Sequence, residues 1–173
     1  MKTSRLHFML LAVCCALIGV APVSAQDTST AANVPTTENL SVSAIVQLAR
    51  ARRATARYKE IANAEADGYV NIDIYEEGEG LHYVNFSIVD GTFDPEHPEV
   101  LLYARLPHKN CLELVAVEYV VPLSVSPGPP AGFSGHHDVW RENSEGLGLW
   151  ELNAWIWLPN PNGVFAFKNP RVP

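Results

Sequence analysis

The chain has 173 residues, 47% of them apolar and 18% charged, a balance that excludes the disordered, collagenous and low-complexity classes and suits one globular domain. A net charge of −7 denies it the basic field that a phosphate backbone requires, so nucleic acid is not an expected partner.

Lys2 and Arg5 precede an apolar run from Phe8 to Ile18, and Val23-Ser24-Ala25 puts small residues where a signal peptidase cuts. The pattern predicts a signal peptide over residues 1–25 and a periplasmic or secreted protein beginning at Gln26. The run is well short of the roughly 20 residues that span a bilayer, and nothing later is apolar enough, so no transmembrane segment is expected in the mature chain. Lipidation at Cys14 is not expected, because the branched Val13 stands before it. Cleavage leaves Cys111 alone, which rules out an intrachain disulfide; in an apolar stretch it reads as a small buried hydrophobe.

Residues 26–38 carry almost no large apolar side chains and read as a flexible leader, with a single domain over residues 39–173. From Asn39, Val42, Ile45, Val46 and Ala49 and then Ala54, Tyr58 and Ile61 recur at helical steps, while Arg50, Arg52, Arg53 and Arg57 take the other face. This predicts one long helix or two in series, stopped by Gly68. The period then switches to two. Strands are expected over Tyr69–Tyr75, Leu81–Val89, Val100–Leu106, Cys111–Val121, Gly148–Leu158 and Val164–Phe167, with a long proline- and glycine-rich loop over residues 122–147. The fold class is α+β: an N-terminal helix packed on a mostly antiparallel, curved sheet of about six strands. A sheet wrapped around the helix would form a cone-like pocket.

Residues two apart in a strand share a face, so His82 groups with Val84, Glu118 with Leu112, Leu114, Ala116 and Val120, and Asn153 with Trp155 and Trp157. Polar side chains on apolar faces need a reason. Glu118 is the most informative, because a buried carboxylate must meet a cation, a histidine or a metal, unless its face is open to solvent. His82, Glu118, Asn153 and Trp155 are therefore the candidate ligand-binding residues, with His82 the expected partner of Glu118. His136-His137-Asp138 is a weaker metal candidate, since adjacent side chains in extended backbone point apart. No H-E-x-x-H, C-x-x-C, G-x-S-x-G, P-loop or dinucleotide fingerprint occurs.

The phrases His82-Tyr83-Val84-Asn85, Val117-Glu118-Tyr119 and Ala154-Trp155-Ile156-Trp157 with Asn160-Pro161-Asn162-Gly163 resemble a family of small exported bacterial proteins of unknown function. The resemblance implies a metal set of His82, Glu118 and a histidine directly before the Ala-Trp-Ile-Trp phrase. Asn153 stands at that position, so the implied set is one ligand short.

The expected function is an exported domain that binds a small molecule or a metal ion. Two alternatives stay open: an enzyme using a Glu118/His82 acid–base pair, and an envelope interaction protein without a pocket.

Overall fold

The computed structural model describes residues 40–143 and 146–173. The expected signal peptide and leader lie outside the described residues.

Helix α1 (Val42–Ala54) is capped by Ser41, whose Oγ accepts the Ala44 N–H at 3.0 Å. A single 3-10 turn (Thr55–Lys59) joins it to α2 (Ile61–Ala66), and Gly68, at φ +95°, ends the helical segment as expected. The buried stripe of α1 is Ala44, Leu48 and Ala51, not the expected Val42, Ile45, Val46 and Ala49. Two stripes of helical period coexist here, and the one richer in alanine faces the sheet. Val42 is 78% exposed. Arg52 also departs from a purely solvated face: its guanidinium lies 4.1 Å from the centre of the Trp157 ring and donates to the Ile156 carbonyl.

Six strands follow: β1 (Val70–Glu76), β2 (Gly80–Val84), β3 (Val100–Ala104), β4 (Glu113–Pro122), β5 (Arg141–Asn143) and β6 (Leu149–Ala154). They form one sheet in the order β1-β2-β3-β4-β6-β5, antiparallel throughout and not closed into a barrel, so the fold is α+β. Alternation separates two apolar layers. Tyr83, Leu101, Tyr103, Val117, Tyr119 and Leu152 pack with the helix residues, while Val84, Val100, Leu102, Ala116 and Val120 form the opposite layer.

Four expectations are corrected. The expected second strand stops at Val84, where Asn85 accepts the Ser87 N–H and starts a short 3-10 turn over Phe86–Ile88. In β4 the register slips, with Leu102 opposite Ala116 but Tyr103 opposite Leu114; Val115 is the extra residue, and the bulge sends Leu114 to the helix side, away from Glu118. Cys111 is exposed in the turn before β4, its thiol 3.7 Å from Glu113 Oε1. Val164–Phe167 is not a strand: Gly163 (φ +115°) turns the chain, and the Val164 carbonyl accepts the Trp155 N–H at 2.8 Å without a ladder forming.

Candidate functional site

A cleft of about 550 Å³ opens on the sheet face opposite α1. It is therefore not a cone around the helix, because the helix layer is filled by tyrosines and leucines. Ile72, Ile74, Val84, Val100, Val120 and Leu149 form its apolar walls. The end of the long loop reaches it through β5, which brings Arg141 and Asn143 to the rim.

The floor holds the polar groups. Strand pairing explains how they meet: His82 on β2 is opposite Leu102 of β3, and Glu118 on β4 is opposite Val100 of β3, so both side chains stand on one face with β3 between them. Glu118 is 3% exposed, and its Oε2 lies 3.8 Å from His82 Nε2. His82 Nδ1 is 3.2 Å from the Ile74 carbonyl. A carbonyl only accepts, so Nδ1 donates to it, and Nε2 is the ring nitrogen turned toward Glu118.

A third group joins them that strand spacing does not reveal. Glu79, 1% exposed, sits on the turn before β2, and Gly80 directs it inward. Gly80 has φ +99°, and a Cβ there would strike the Tyr103 carbonyl oxygen, so neither the turn nor its approach to β3 admits another residue. One ligand atom from each of Glu79, His82 and Glu118 lies within 4.8 Å of the others, and the cluster could hold a metal ion. Glu79 Oε1 is buried and has no hydrogen-bond partner; Lys168 Nζ stands 4.0 Å away.

Burial dominates the electrostatics. It pushes the Glu79 carboxyl up to about 8, with further upward pressure from the neighbouring Glu76 and opposition from Asn153 and Arg141. Burial also drives Glu118 well above the usual carboxylate range, reinforced by Glu151 and Glu79 and countered by Arg141. Two carboxylates within 4.8 Å repel by about 3 kcal/mol at an effective dielectric constant of ~20, so a bound cation is what would let both ionise. Glu151, by contrast, is already paired, accepting from Arg141 and from Asn143 Nδ2.

Asn153 is opposite Glu118 on β6, so the two side chains share a face, but it does not line the cleft. Its Nδ2 donates to the Phe167 carbonyl at 2.8 Å and lies 3.4 Å from Glu79 Oε2. It thus steadies the carboxylate that supplies the third donor. Trp155 is not brought to the cleft; it is buried, its indole N–H donating to the Ala166 carbonyl at 2.5 Å. His136 and Asp138 lie along a separate loop pocket, and neither they nor His137 join a group of three metal-ligating side chains among the described residues.

Comparison with family models, with curated proteins and with solved structures found no match for this chain. No helix among the described residues is long and apolar enough to cross a membrane.

Proposed function

We propose that the protein is a metal-binding domain that holds one first-row divalent ion between Glu79, His82 and Glu118, with the cleft above left for a small ligand. The observation that carries this reading is the cluster itself, two buried carboxyl groups and an imidazole nitrogen within 4.8 Å of one another, with no hydrogen bond to Glu79 Oε1. Two carboxylates and a neutral imidazole sum to the charge that a divalent ion cancels. One imidazole nitrogen with two carboxylate oxygens suits Zn²⁺ or Mn²⁺ better than Ca²⁺, which takes six to eight oxygens.

Outer-shell support is consistent with this. The Ile74 carbonyl fixes the His82 tautomer, and Asn153 holds Glu79. Three protein ligands at about 2.1 Å would stand roughly 3.4 Å apart in a tetrahedral site. The 3.8 Å between His82 and Glu118 closes to that with a shift of a few tenths of an ångström, and a pair at the 4.8 Å limit of the cluster with about 1.4 Å. A fourth position would face the cleft.

The acid–base alternative has less behind it, since 3.8 Å is beyond hydrogen-bond reach. The interaction-protein alternative, which expects no pocket, has less behind it in a chain with this cleft. Export is supported by the charged start, the apolar run and Val23-Ser24-Ala25. N-terminal sequencing of the exported protein that begins at Gln26 would support it, and residues before Ala21 would count against it.

Zinc titration by calorimetry tests the metal reading. One ion per chain with a micromolar or tighter Kd is expected, weakened at least 100-fold by Glu79→Gln and by His82→Ala, and about tenfold by Asn153→Ala. Absence of binding at 100-fold excess zinc, or binding indifferent to both ligand substitutions, contradicts it.

A further inference from the structure

We propose that the cleft takes a long-chain carboxylate, its carboxylate head completing the coordination of the ion and its hydrocarbon body lying along the apolar walls. This rests on the metal reading above and names the ligand class of the same site.

Polarity within the cleft is segregated. Ile72, Ile74, Val84, Val100, Val120 and Leu149 present only hydrocarbon, while the carboxylates, His82 and Arg141 sit together. A ligand that satisfies both regions has one polar end and one apolar body. The polar end must be small, because the donors near the floor are already engaged: Arg141 and Asn143 on Glu151, His82 Nδ1 on Ile74. It must also carry an oxygen donor of low charge. Glu76, Glu79, Glu118 and Glu151 are balanced by Arg141, Lys168 and a divalent ion, which leaves a neutral floor able to accept one anionic oxygen ligand but not a phosphate-like dianion. Without the ion the floor offers a carboxylate head no open cation, since Arg141 is engaged on Glu151 and Lys168 stands beside Glu79.

Size follows from volume. At ~30 Å³ per non-hydrogen atom, about 550 Å³ holds on the order of eighteen such atoms. Dodecanoate fits within that, and butyrate leaves most of the wall uncovered. Phe86, 64% exposed at the mouth, is positioned to cover the outer part of such a chain.

The test is calorimetric titration of dodecanoate, butyrate and dodecylammonium into the full mature protein, zinc-loaded and metal-free, with zinc affinity measured in parallel. Dodecanoate is expected to bind the zinc-loaded form at least tenfold more tightly than the metal-free form. Each buried methylene multiplies affinity about fourfold, so butyrate should bind at least 100-fold more weakly than dodecanoate. Phe86→Asp should weaken dodecanoate at least fivefold and leave zinc affinity unchanged, which also verifies that this variant is folded. Failure of zinc itself to bind defeats the metal reading. Zinc binding without dodecanoate binding, dodecanoate binding indifferent to zinc or to Phe86→Asp, or tighter binding of dodecylammonium to the metal-free form overturns the ligand assignment and leaves the metal reading standing.

Discussion

His82 and Glu118 belong to strands that do not pair, yet His82 Nε2 and Glu118 Oε2 approach to 3.8 Å across β3. Strands two apart are separated by roughly 9.6 Å, so the two side chains lean toward each other over Val100 and Leu102. That convergence places an imidazole nitrogen and a buried carboxyl group on the floor of a largely apolar cleft.

Glu118→Gln separates a structural role from a metal-binding one. Glu118 is buried near Glu79 and Glu151, so in metal-free protein at pH 8 the amide removes repulsion and the variant should be at least as stable as the parent. With zinc present the order reverses, because the parent gains binding energy that the variant lacks. Thermal unfolding with and without zinc checks both signs. A loss on the order of 2 kcal/mol in the metal-free variant would instead make Glu118 the anchor of a stabilising pair with His82.

Gly80→Ala should destabilise the fold by about 2 kcal/mol or more, since the residue has φ +99° and its Cβ would meet the Tyr103 carbonyl oxygen. The same change displaces Glu79 and should weaken zinc binding. Urea denaturation and zinc titration of the variant measure the two effects; a variant equal to the parent in both would refute the role given to this turn.

Glu99 gives the pH dependence. It is buried at the start of β3, accepts the Val120 N–H at 3.2 Å, and has its carboxyl raised to about 8, chiefly by burial. Between the ordinary carboxylate value of about 4.5 and about 8 the folded protein therefore holds a proton that the unfolded chain has released. Stability contributed by this group is full at acidic pH and is lost as pH rises through that window. Glu99→Gln should gain stability relative to the parent on going from pH 5 to pH 8, by an amount on the order of a few kcal/mol. Parallel unfolding free energies of parent and variant that do not diverge with pH would contradict this.

Much of the fold was legible because alternation is a direct imprint of a two-sided sheet. The β3 and β4 segments follow from it, whereas the shared face of His82 and Glu118 depends on the register of both strands with β3, which alternation alone does not give. What escaped has local causes. The helix offered two stripes, and packing selected the alanine-rich one through Ala44, Leu48 and Ala51. A one-residue bulge at Val115 moved Leu114 to the other layer. Glu79 escaped because it reads as a solvated turn residue between Gly78 and Gly80; only the positive φ values of both glycines, +86° and +99°, turn it inward. Asn153, expected to face a ligand, shares the face of Glu118 but is engaged on Glu79 Oε2 and the Phe167 carbonyl.

The most direct measurement is an anomalous difference map from a crystal of the mature protein grown with zinc and collected above the zinc edge. A single strong peak is expected on the cleft floor, at about 2.0–2.2 Å from one oxygen each of Glu79 and Glu118 and from His82 Nε2. A cleft floor without a peak, with zinc instead at His97 and Asp94 or in the His136–Asp138 loop, would contradict the metal assignment.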